Sequence, residues 1–140
     1  MVESTQGLTV YWFPGSQPSR AVKAVLDMGS IEFTSEVRDI FKGETRTEEY
    51  LKINPKGVVP FIVDGDHPLG ESNDILKYLC DTRSTVPESL WPKDAHKRAL
   101  VESHLAWYTN TWRPATAQPL FSRIGLVLKG VALDDDVTTA

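Results

Sequence analysis

The run Val58-Val59-Pro60-Phe61-Ile62-Val63 constrains this chain more than any other segment. Its apolar, largely β-branched composition makes it a strand. Asp64-Gly65-Asp66 then reads as a hairpin turn, with His67 to Leu69 as the short return strand. Asn54-Pro55-Lys56-Gly57 is a turn leading in. Pro60 has no N–H to give to a ladder, so from spacing alone the run belongs at a sheet edge. A hairpin whose first strand carries a proline must be completed by other strands.

Those strands lie upstream. Leu8 to Phe13 is short, apolar and aromatic, and Ile31 to Val37 has a similar pattern. Between them Pro18 suits the first helical position, Val22, Val25 and Leu26 have helical spacing, and Gly29 ends the helix. Strand, helix, strand is a parallel pair by default. Thr45-Arg46-Thr47-Glu48 has capping-box spacing for a short helix. Ser72 is placed to cap a helix with Ile75, Leu76 and Leu79 on one face. The order is that of an α/β thioredoxin-like domain over residues 1–82. Residues 83–92 form a linker. Residues 93–140 read as an all-α domain that is truncated. Leu100, Val101, His104, Leu105, Tyr108 and Trp112 fall near one stripe, Leu120 to Leu128 is a second apolar stretch, and Asp134-Asp135-Asp136 looks like the start of another helix.

Composition narrows the function classes. The chain has 140 residues, with charges interspersed and a formal net charge of −4, which argues against a nucleic-acid footprint. No apolar run approaches membrane-spanning length. Cys80 is the single cysteine, which excludes an internal disulfide and points to a reducing, cytoplasmic setting. On its apolar helix Cys80 reads as core. His67, His96 and His104 lack metal-ligand spacing, so no metal is expected. The glycines form no phosphate loop.

Three segments in order carry a resemblance: Y-W-F-P-G-S-Q-P-S-R-A-V, N-P-K-G-V-V-P-F-I-V-D-G-D and G-E-S-N-D-I-L-K-Y-L. Together they resemble the N-terminal domain of glutathione S-transferases, and S-Q-P-S-R-A is most similar to the theta class. The similarity continues through L-W-P-K-D and H-L-A-W-Y-T-N-T-W-R, covering about residues 8 to 113. The resemblance implies glutathione as co-substrate and a small electrophile as second substrate. It implies a cis bond before Pro60, with Val59 pairing through its backbone with the cysteinyl unit. It also implies that Glu71 and Ser72 hold the γ-glutamyl end.

By itself Ser16 is a turn residue before a helix. The resemblance makes it the catalytic hydrogen-bond donor to the glutathione sulfur, where a hydroxyl and a helix N-terminus favour the thiolate. Tyr11 is the runner-up for that role, although strand packing is the better account of it. Two positions depart from the theta pattern: Thr45 stands near a usual histidine and Val58 near a usual lysine, both at the glycyl end. Arg46 is placed to replace the lost charge. Arg113 lies where some theta enzymes have a substrate-site arginine, and equally where a helix C-terminal cation belongs.

Two functions of different class follow. One is glutathione conjugation to small electrophiles, expected in a homodimer. The other is a non-catalytic, transferase-like structural or interaction subunit, with a protein partner covering the incomplete helical domain.

Overall fold

The computed structural model describes residues 7–128 and Gly130. Asp134-Asp135-Asp136 lies outside the described residues. The chain divides into two compact units, residues 1–98 and 99–140.

The first unit is built on a four-stranded sheet of order β2-β1-β3-β4, formed by β1 (Leu8–Trp12), β2 (Thr34–Val37), β3 (Phe61–Asp64) and β4 (His67–Gly70). β1 pairs parallel with β2 and antiparallel with β3, and β3 pairs antiparallel with β4. Helix α1 (Gln17–Met28) makes the crossover between the parallel strands, α2 (Glu48–Ile53) precedes the hairpin, and α3 (Ser72–Thr82) follows it. This is the thioredoxin-like architecture that the element order implies.

Alternation decides which face of the sheet each residue occupies. Leu8 and Val10 of β1 and Ile62 of β3 share a core with Val22 and Leu26 of α1 and Ile75 and Leu79 of α3. Their neighbours Tyr11 and Phe61 face the other way, where Tyr11 packs against Tyr50 of α2 with ring centroids 5.5 Å apart.

Several boundaries differ from the sequence expectation. β3 is internal, not an edge. Pro60 is tolerated because it precedes the first paired residue, Phe61, so the ladder loses no donor. β2 starts only at Thr34, while Ile31 and Phe33 pack against the core from an irregular segment. Helix α1 begins at Gln17, so Pro18 is its second residue. The expected capping box does not form. Glu44–Arg46 is a 3-10 turn, and Thr47 caps α2 by accepting the Tyr50 N–H at 3.3 Å. Ser72 is the first residue of α3 rather than its cap, which is Glu71, and Glu71 makes no side-chain capping bond. Cys80, read from the sequence as core, is half-buried and does not belong to the core cluster.

The segment read as a linker lies within the first unit. Arg83 pairs with Asp64, which also accepts the Tyr78 hydroxyl, and Val86 and Trp91 are buried. Val86 leaves no room for a side chain at residue 29, where a Cβ would lie 2.8 Å from its methyl group. The Arg98 guanidinium stacks on Trp91 at 4.5 Å.

The second unit begins within α4 (Ala95–Trp107) and continues through a π-helical stretch (Tyr108–Trp112), the short α5 (Arg113–Ala115) and α6 (Ala117–Leu128). The expected α4 stripe is not buried. Val101 and Leu105 are half-buried, while Leu100 and His104 are exposed. Trp107, Leu120, Leu126, Val127 and Leu128 are also exposed. Among the described residues, the helices of this unit leave these apolar side chains uncovered.

Candidate functional site

Strand register gathers the three sequence segments at one end of the sheet. Tyr11 lies opposite Phe61, and Phe61 lies opposite Gly70. The chain leaving β1, the chain entering β3 and the chain leaving β4 therefore meet there. They carry Ser16, Val59-Pro60 and Glu71-Ser72 respectively.

Ser16 caps α1 and is 5% exposed. Its hydroxyl oxygen accepts the Ser19 N–H at 3.4 Å, and its own N–H donates to the Phe13 carbonyl at 2.9 Å. Accepting uses a lone pair and leaves the hydroxyl hydrogen for a second partner. The first turn of α1 has no acidic residue, so its positive end is uncompensated there. A Cβ at Gly15 would lie 2.5 Å from the Phe13 ring, so a side chain there would displace that ring. Tyr11 is engaged in packing, between Tyr50 and Phe61, with the Arg38 guanidinium 5.4 Å from its ring centre.

The Val59-Pro60 bond is cis, as the resemblance implies. Among the described residues no backbone hydrogen bond engages Val59. Val58 is anchored through its carbonyl, which accepts the Tyr50 hydroxyl at 2.8 Å and the Asn54 side-chain amide at 2.9 Å. Its side chain is 40% exposed.

Gly57 precedes it with φ of +60°, and a Cβ would lie 2.7 Å from the Thr45 carbonyl oxygen and 2.9 Å from Arg46 Nη1. The 3-10 turn thus packs directly on this loop. Thr45 is buried, whereas Arg46 is exposed and donates to the Lys56 carbonyl at 3.3 Å.

Glu71 adopts φ of +64°, an uncommon conformation for a residue with a side chain. Such strain costs free energy that the surrounding structure must offset. Its carboxylate pairs with Lys56 Nζ at 3.2 Å. Both groups are well exposed, so the pair contributes about 0–1 kcal/mol at most. Ser72 follows at the N-terminus of α3, where helix amides lack intrahelical acceptors.

Arg113 is not on this sheet. It is exposed at the start of α5 in the second unit. Among the described residues no cluster of three His, Cys, Asp or Glu side chains could hold a metal. His67 stacks on Tyr78, and His104 Nδ1 contacts the Leu100 carbonyl at 2.9 Å.

Sequence reasoning missed Tyr50, Asn54 and Lys56. Asn54 had a legible signal: in Asn54-Pro55-Lys56-Gly57 its side chain can close the turn, and its Oδ1 accepts the Lys56 N–H at 3.2 Å. Tyr50 had none, because its partner carbonyl is set by tertiary packing.

The fold defines a thioredoxin-like domain. The family described as "Glutathione S-transferase, N-terminal domain" matches residues 10–87, and the chain belongs to the glutathione S-transferase family. Among its relatives, Arabidopsis thaliana glutathione S-transferase T1 is 39% identical over 122 residues, covering 86% of this chain and 50% of that protein. Human glutathione S-transferase theta-2B is 34% identical over 130 residues, covering 93% of this chain and 53% of that one. A solved human theta-class transferase, in complex with the glutathione conjugate of 1-menaphthyl sulfate, superposes with a TM-score of 0.84 at 33% identity. That superposition covers 94% of this chain and 53% of the other. The chain thus spans about half the length of these relatives.

Proposed function

We propose that the chain binds glutathione and transfers its thiolate to small electrophiles. The observation that carries this reading is the convergence of Ser16, Val59 and Glu71-Ser72 at one sheet end. Each supplies a different contact. Val59 offers an unengaged backbone to the cysteinyl unit, as an added strand would use it. Ser72, at a helix N-terminus, receives the γ-glutamyl carboxylate. Glu71 receives the ammonium group. Its present pairing with Lys56 is weak enough to be exchanged for the ligand.

Ser16 donates its hydroxyl hydrogen to the sulfur and lowers the pKa of the thiol. The proton passes to solvent, and the thiolate attacks the electrophilic carbon to form a C–S bond. Any leaving group departs with the electron pair of its bond. Exposed Arg46 is assigned to the glycyl carboxylate. Thr45, being buried, contributes to that end through the turn it forms. Arg113 is assigned to the electrophile. The single cysteine and the family resemblance support a cytoplasmic enzyme acting as a homodimer.

Exposed Leu120, Ile124, Leu126 and Val127 favour a second reading, in which the domain is a non-catalytic subunit covered by a protein partner. Calorimetry with glutathione, combined with a conjugation assay on a generic aromatic electrophile, separates the two. Binding with turnover supports the enzyme. Binding without turnover favours the subunit, and the absence of both refutes the glutathione reading.

A further inference from the structure

We propose that Tyr50 and Asn54 are positioning residues that aim the Val59 N–H at the ligand. This rests on the glutathione reading above. The two side chains are 1% and 3% exposed, and both donate to a single acceptor, the Val58 carbonyl, at 2.8 and 2.9 Å. A carbonyl oxygen has two lone pairs, so this pair of donors fills its capacity.

The consequence follows from peptide geometry. The Val58 carbonyl and the Val59 N–H belong to one planar unit, and in a trans peptide they point in opposite directions. The cis bond is the next one, between Val59 and Pro60. Holding the carbonyl inward therefore turns the N–H outward, away from α2. Among the described residues that N–H has no backbone acceptor.

Val58 itself is 40% exposed, so its own packing holds the peptide less firmly than the two buried donors do. The donors are themselves held firmly. Asn54 Oδ1 accepts the Lys56 N–H at 3.2 Å, and the Asn54 carbonyl accepts the Gly57 N–H at 2.9 Å. The Tyr50 ring rests against Tyr11, and the Arg38 guanidinium lies 5.8 Å from the Tyr50 ring centre and 5.4 Å from that of Tyr11. In this role Tyr50 and Asn54 need no contact with either substrate. They act through the peptide.

The test is glutathione affinity by calorimetry for the full chain and for Tyr50→Phe, Asn54→Ser and the double variant, with a melting curve for each. Tyr50→Phe keeps the ring and its packing, and Asn54→Ser gives an independent measurement should the first variant not fold. Each single change is expected to raise the glutathione Kd about 2- to 10-fold, the range one neutral hydrogen bond spans. The double variant should exceed the product of the two, since each single change leaves one donor on the carbonyl. In turnover, KM for glutathione should rise more than kcat at saturating glutathione falls, with the KM for the electrophile unaffected. A purely structural role would lower the melting point and leave the Kd alone, and that result overturns the proposal. Wild type that fails to bind glutathione overturns the functional reading and this inference with it. Wild type that binds, with both folded variants binding equally well, overturns this inference alone.

Discussion

Replacing Ser16 with alanine should produce two separable effects, because its oxygen and its hydrogen serve different partners. The first is structural. Losing a serine N-cap costs about 0.5–2 kcal/mol. The capping contact to Ser19 N is long, at 3.4 Å. We therefore expect the low end of that range, about 0.5–1 kcal/mol, and a melting point roughly 2–6 °C lower.

The second effect is chemical. A hydrogen bond to a charged group is worth about 1.5–3 kcal/mol. At 1.36 kcal/mol per pKa unit, losing it should raise the pKa of the bound thiol by about 1–2 units. The sign follows from the donor favouring the charged form, so its loss moves ionisation to higher pH. Below both pKa values the thiolate fraction, and the conjugation rate with it, should fall about 10- to 100-fold. At high pH, where both proteins hold thiolate, the rates should approach each other. The assay is the pH dependence of conjugation at saturating glutathione, with ultraviolet thiolate absorbance of the binary complex alongside. Ser16→Thr, which keeps a hydroxyl, should retain the wild-type profile. A Ser16→Ala profile that superposes on wild type while the melting point falls would show that Ser16 is a helix cap and nothing more.

Three further outcomes follow from the same geometry. Gly57→Ala must place a Cβ 2.7 Å from the Thr45 carbonyl at a φ of +60°, so chemical denaturation should show a loss above about 1 kcal/mol, with weakened glutathione affinity. Ile62→Ala removes a fully buried side chain from the central strand, and urea titration should give a loss of about 2–5 kcal/mol; less than 1 would mean that the core packs differently. Burial, and secondarily the Asp81 charge, push the Cys80 thiol above its ordinary value, so less thiolate is present at neutral pH than in an exposed cysteine. Iodoacetamide should therefore modify Cys80 more slowly than free cysteine at neutral pH and faster as pH rises, with equal rates at neutral pH counting against this assignment.

Local rules made much of the molecule legible in the sequence. Strand and helix order, the helix-terminal serine and the Asp64-Gly65-Asp66 turn depend on residues within a few positions of one another. The site segments were legible only as a set, because each taken singly reads as an ordinary turn or cap. Ser16, Val59 and Glu71-Ser72 are far apart in the chain, and only the antiparallel register of β1, β3 and β4 brings them to one end of the sheet.

Tertiary structure decided what depended on non-local partners. Pro60 reads as an edge residue until the sheet places β3 between β1 and β4 and begins its ladder one residue later. Nothing in the sequence marks the backbone of Glu71, yet the β4-to-α3 connection gives it a positive φ. Tyr50 reads as a helix-face aromatic, and its role depends on one carbonyl eight residues away. Likewise the α4 stripe predicts burial, but burial needs a neighbour that periodicity does not provide. The sequence by itself determined elements and turns, since those energies are local. Tertiary packing decided which backbone groups are clamped and which are left for a ligand, since those energies depend on the whole domain.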